Sequence, residues 1–96
     1  MPAYIIATVN ITKPDAYQEY AKLAGPATLK HGGRFLVRGG KKTALEGDIP
    51  FQRIVVTEFP DVEAAKRFYN SVEYQAAKQK RLGAADFHMI VVEGAN

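Results

Sequence analysis

The chain has 96 residues, 47% of them hydrophobic and 24% charged, which suits one globular domain over residues 1–96 and excludes the composition of a disordered chain. It has no cysteine, which excludes disulfides, thiolate metal sites and cysteine nucleophiles. The net charge of +3 is mild, and the clusters Lys41-Lys42 and Lys78, Lys80, Arg81 read as solvated surface.

In chain order, residues 3–11 set Ala3, Ile5, Ala7, Val9 and Ile11 against Tyr4, Ile6, Thr8 and Asn10, the alternation of a strand. Pro14 suits the first turn of a helix capped by Thr12 or Lys13, and Tyr17, Tyr20, Leu23 and Ala24 recur at helical spacing. Gly25-Pro26 is expected to break or kink that helix, because an interior proline costs about 3 kcal/mol. A second segment, 27–30, then ends at His31-Gly32-Gly33. Residues 34–38 form a short strand, Gly39-Gly40 permits a bulge or turn, and 43–46 continue the strand or pair back.

Residues 51–59 carry the strongest strand signal, centred on Ile54-Val55-Val56-Thr57, with Val55 and Val56 on opposite faces. Pro60 stops it and Asp61 caps a helix with Val62, Ala65, Phe68 and Tyr69 on one side. Asn70-Ser71 interrupts, and Ser71 caps a further helix from Val72 towards Lys80. Gly83 closes the helical region before a last strand over 87–93. The order predicts an α+β fold, a ferredoxin-like βαββαβ plait with its helices on one face of an antiparallel sheet. The strands are apolar on both faces while the helices can cover only one, so the expected second layer is another copy of the chain, a homodimer.

Particular runs carry a resemblance: Gly32-Gly33-Arg34-Phe35-Leu36-Val37-Arg38-Gly39-Gly40, Leu45-Glu46-Gly47-Asp48, Glu58-Phe59-Pro60, Phe68-Tyr69-Asn70-Ser71 with Glu73-Tyr74, and Val92-Glu93-Gly94. In this order they resemble the domain-of-unknown-function 1330 family over nearly the whole chain, with Phe68 where that family often has Trp. The resemblance implies a dimeric α/β barrel, two ferredoxin-like subunits pressing their open sheet faces together. Its wider superfamily looks like a collection of cofactor-free monooxygenases, isomerases, haem-handling enzymes and stress-responsive proteins, so it implies a fold and a pocket and no particular reaction.

The candidate chemistry lies on the strands and helices. Glu58 stands in the most apolar strand, where burial would tune a carboxylate as a general acid or base, or where an arginine would pair it structurally. Arg38, sharing parity with Leu36 and followed by two glycines, could clamp a carboxylate or phosphate with its planar fork, or pair with Glu58 or Glu46. His88 alternates with Ile90 and Val92 and could shuttle a proton or stand as a half-exposed strand residue. Tyr69 and Tyr74 are the tyrosines expected to face a ligand, whereas His31 suits a helix C-terminus. The histidines lack paired carboxylate spacing, so no metal is expected, and no other cofactor is implied. Nothing resembles a nucleophile elbow around Ser71. The third strand lacks the central aromatics on which bases stack, so nucleic acid is not expected. No apolar stretch reaches membrane-spanning length and no basic, apolar, small-residue leader is recognisable, so the expectation is a cytoplasmic protein without a membrane partner.

The leading expectation is a cofactor-independent enzyme or binder of a small organic molecule, anionic if Arg38 anchors it, between helices and sheet. There Glu58 or His88 would move a proton, Arg38 would orient the ligand and Tyr69 and Tyr74 would line the wall. The alternative is a non-catalytic dimeric module, stress-related or structural.

Overall fold

The two-sided alternation of residues 3–11 places this strand in the middle of the sheet. In the computed structural model, which describes residues 1–95, β1 (Ala3–Ile11) pairs antiparallel with both β3 (Arg53–Phe59) and β4 (Ala85–Glu93). β2 (Arg34–Arg38) pairs with β3, giving the order β2-β3-β1-β4. The helices are α1 (Pro14–Lys30), α2 (Val62–Tyr69) and α3 (Val72–Arg81). This is the ferredoxin-like plait expected from the order of elements.

Register fixes what each face presents. Ala3, Ile5, Ala7 and Val9 are buried, and the apolar faces of the helices close over them: Tyr17, Tyr20, Ala24 and Ala27 from α1, Ala64, Ala65 and Phe68 from α2, Tyr74 and Ala77 from α3. The other face has no such cover. Across it Val37, Val56, Ile6 and Ile90 stand opposite one another in a row through all four strands, and Ile90 is 56% and Val92 42% exposed. An uncovered apolar row of this kind is a site of association.

Both short helices start as their sequences predict. Asp61 Oδ1 accepts from Ala64 N at 2.7 Å, and Ser71 Oγ accepts from Tyr74 N at 3.1 Å. The cap of α1 is Lys13, whose side chain makes no capping bond. Residues 43–46 are not a strand: Leu45 is 93% exposed, and residues 40–52 form a loop that offers β2 no second apolar alternation to pair with. β3 begins at Arg53 rather than residue 51, because the Gln52 N–H is shared by Val9 O and the Asn10 side chain. β4 begins earlier than residue 87, since Ile11 pairs with Ala85.

The expected break at Gly25-Pro26 does not occur, and α1 runs through it to Lys30. Buried residues on either side of the proline, Ala24 and Ala27, fasten one continuous face to the sheet, and the Thr28 hydroxyl donates to Ala24 O at 2.7 Å. Pro26 itself is exposed, so its ring packs little and its missing N–H remains a cost. Pro26→Ala should therefore raise stability, by up to about 3 kcal/mol in urea denaturation. An unchanged midpoint would mean that the helix already absorbs the proline without penalty.

His31 closes α1 and reaches α3: its Nε2 lies 3.0 Å from Glu73 Oε1, and Lys30 donates to Glu73 Oε2 at 2.5 Å. The bonds from Lys30 and His31 hold the Glu73 carboxyl down at about 2. A depressed folded-state value stabilises the fold above the unfolded carboxyl's pKa of about 4.3 and loses that contribution as pH falls through the folded one. Glu73→Gln should thus lower the melting temperature at pH 7 and flatten the acid limb between about pH 4.3 and 2; parallel limbs would remove this clasp from the account.

Candidate functional site

Between α1 and the helix-covered face of the sheet lies a cavity of about 50 Å³. It is lined mainly by apolar groups, with Tyr17, Tyr20, Tyr74, Arg38 and Arg53 supplying the larger polar ones. Two strands deliver the arginines. Arg38 is opposite Val55 and Arg53 opposite Val9, so both share the parity that faces the helices. A bulge between Phe35 and Val37 breaks the alternation of β2, which puts Arg38 with Phe35 rather than with Leu36. Its guanidinium lies 4.1 Å from the Phe35 ring centroid.

Glycines make room for both cations. Gly39 has φ +73° and lies directly against the Arg53 guanidinium, so a side chain there would be strained and would also collide with it. A Cβ on Gly25 would stand 2.9 Å from Arg38 Nη2. The sequence joined Gly39 to Arg38 by adjacency, whereas the fold gives it to Arg53.

Two of the tyrosines are joined by their hydroxyls. Tyr20 and Tyr74 hydroxyls are 3.0 Å apart, and Arg81 Nη2 donates to the Tyr74 hydroxyl at 3.2 Å. The pair's mutual bond consumes one phenolic proton and Arg81 brings its own, so one O–H remains to donate elsewhere. Burial, with Tyr74 as its neighbour, pushes the Tyr20 hydroxyl far above the ordinary phenol range. Burial likewise raises Tyr17, against the opposing pull of Arg53. These two phenols are donors, not phenolates, at neutral pH.

Arg81 is 7% exposed and stacks 3.8 Å from the Phe87 ring centroid. The reading of Lys78, Lys80 and Arg81 as one solvated cluster is therefore corrected at Arg81. Tyr74, Ala77 and Arg81 are the buried positions of α3, a helical spacing that turns Arg81 inward with Tyr74. Among the described residues, no Asp or Glu forms an ion pair with Arg38, Arg53 or Arg81. The Nε atoms of Arg53 and Arg81 are buried without a hydrogen-bond partner. Sequence reasoning missed Arg53, although its parity with Val55 and Thr57 was the available signal.

The other candidates separate. Arg38 and Tyr74 meet at the cavity, while Tyr69 and His88 line a second cleft between α2, α3 and β4. Glu58 belongs to neither. It lies on the open face opposite Arg34, whose Nη2 donates to Oε1 at 2.7 Å, and Tyr4 donates to Oε2 at 3.3 Å. The anticipated Arg38–Glu58 pair does not form, because antiparallel register brings Glu58 to the other end of β2. Among the described residues, no group of three or more His, Asp or Glu could hold a metal ion, and no helix is long and apolar enough to cross a membrane.

Comparison with known proteins agrees with this architecture. The model of a family described as Domain of unknown function (DUF1330) matches residues 2–95. The chain is similar to a crystal structure of a Rhodopseudomonas palustris protein of unknown function, with 22% identity, a TM-score of 0.78, and coverage of 99% of this chain and 83% of that one. It is similar also to a dimeric ferredoxin-like protein of unknown function from Jannaschia sp., with 10% identity, a TM-score of 0.76, and coverage of 98% and 100%. SnoaB, a cofactor-independent oxygenase from Streptomyces nogalater, shares the fold at 8% identity and a TM-score of 0.69, with coverage of 99% and 94%. At these identities the likeness is one of fold. No curated protein matches the chain.

Proposed function

The chain belongs to the DUF1330 family, and from the chemistry of its own cavity we propose that it is a homodimer that binds a small organic anion between helices and sheet, as a cofactor-independent enzyme or as a binding protein. One observation carries this reading: Arg38 and Arg53 meet three tyrosines at a cavity with no acidic lining residue among the described residues. Arg53 is half-buried, with its Nε buried and unpartnered and no carboxylate paired to it among the described residues, a cost that an anionic ligand would offset. In this reading the guanidinium of Arg53 pairs with the ligand's carboxylate or enolate oxygen. The spare proton of the Tyr20–Tyr74 pair donates to a second oxygen, and Arg81 polarises Tyr74 from behind.

The space, about 50 Å³, suits a carboxylate head with the body of the ligand directed to the mouth. Arg38, exposed and resting on Phe35, is the side chain that would swing to admit it. The fold shared with SnoaB supports keeping an enzymatic role, and His88 and Glu58 both lie too far round the sheet to be its proton carriers in this reading. The small volume favours a second reading, a non-catalytic dimeric module. Melting curves against small carboxylates and their neutral amides separate the two. Concentration-dependent stabilisation by the acids alone supports a binder, and no shift with any of them supports the module.

The dimeric part rests on the uncovered row Val37, Val56, Ile6 and Ile90 and on the dimeric assembly described for the Jannaschia protein. Pairing two such faces would bury more than about 1,200 Å² and close the barrel.

A further inference from the structure

The cleft between α2, α3 and β4 is larger than the cavity and takes its cations from other elements, although Ile5, Phe87 and Met89 line both. It is an open cleft of about 480 Å³, within the roughly 300–1,000 Å³ range of small-molecule sites. Lys66 comes to it from α2, Lys78 and Arg81 from α3, and among the described residues no Asp or Glu lines it. Phe87 and Met89 of β4 give it an apolar floor.

These cations are poorly neutralised. The nearest carboxylate to Lys66 is Glu63 at 3.9 Å, one turn away and solvent-exposed, a pairing worth little in water. Lys78 Nζ donates to the Tyr69 hydroxyl at 2.8 Å, a neutral partner. Arg81 is 7% exposed with its Nε unpartnered. A solvated basic surface would not sink one of its charges beside an aromatic floor. Concentrated positive charge over apolar side chains is the surface complementary to an oxyanion on an apolar body.

We propose that this cleft is a second binding site, adjoining the cavity across Phe87 and Met89, for a small organic anion whose charged group is held by Lys66 and Lys78 and whose apolar body lies on those two residues. It requires neither the cavity to be occupied nor the chain to be an enzyme.

Phenyl phosphate, which joins an oxyanion to an apolar ring, is the probe, with benzyl alcohol as its neutral counterpart. Titrated into the ¹⁵N-labelled full chain, phenyl phosphate should move the amide signals of Tyr69, Asn70, Lys78 and His88, which line the cleft and not the cavity, saturably, and benzyl alcohol should leave them in place. Lys66→Gln with Lys78→Gln should weaken binding at these reporters by about tenfold or more, while Arg53→Gln in the cavity changes it by less than about twofold. Amide shifts confined to Tyr17, Arg38 and Arg53, sensitivity to Arg53→Gln alone, no saturable shift, or an equal response to benzyl alcohol would each overturn the second site. The wild-type comparison of the two probes decides the matter even if the double variant does not fold, and the cavity's own reporters keep the two sites distinct.

Discussion

Val55→Lys should unfold the protein, and Val56→Lys, one residue further on, should leave it folded and monomeric. Val55 stands opposite Ala7 and Arg38 on the helix-covered face and lines the cavity. Val55 is half-buried; a lysine there adds a cation beside Arg38 and Arg53 in a site with no acid among its described lining residues, and an uncompensated charge held out of water costs up to about 3–5 kcal/mol. A domain of this size has about 5–15 kcal/mol in total, so Val55→Lys should lose its cooperative melting transition or shift it far down. Val56 stands opposite Ile6 and Val37 on the uncovered face. Within one subunit its lysine reaches water, but in the proposed dimer the symmetric partner brings a second lysine to the same apolar row. The dissociation constant should rise by about a hundredfold or more, the equivalent of about 2.7 kcal/mol. Circular dichroism and sedimentation velocity on both variants read the contrast. A wild type that is a folded monomer would show that the open face needs no second layer.

Arg53→Met should leave stability within about 1 kcal/mol of wild type while weakening binding of a small organic anion by about a hundredfold. The stability half follows from what Arg53 lacks: its Nε is buried without a partner and no carboxylate pairs with it. Arg53 is half-buried, and replacing an unpaired charge in such a place by an apolar side chain of similar length is often neutral or stabilising. Binding depends on that charge, because a planar fork aimed at an oxyanion is worth about twice a neutral hydrogen bond. Urea denaturation and calorimetric titration measure the two quantities on one sample. Large destabilisation with unchanged binding would make Arg53 a structural residue.

What the sequence made legible was the part governed by period and by local chemistry. Strand alternation gave β1 and the separation of Val55 from Val56, and the side chains of Asp61 and Ser71 marked two helix starts that their hydrogen bonds bear out. Pro26 misled because local propensity was weighed without the buried Ala24 and Ala27 on either side of it, whose burial holds α1 in one piece. Arg38 and Glu58 were paired by short-range plausibility, but register is a long-range property, and it delivered Arg34 to Glu58 instead. A bulge adds a further inversion of parity that no alternation count anticipates. Arg81 was hidden by its neighbours Lys78 and Lys80, since a run of charges reads as surface until the helical spacing to Tyr74 and Ala77 is applied.

The central claim is that the cavity between helices and sheet selects an anion. Calorimetric titration of the wild-type protein with benzoate and with benzamide, which match in shape and differ in charge, tests it most directly. The arginine–tyrosine arrangement predicts that benzoate binds at least about tenfold more tightly than benzamide and that Arg53→Met abolishes the preference. Equal affinities for the two compounds, or a benzoate preference that survives Arg53→Met, would contradict it.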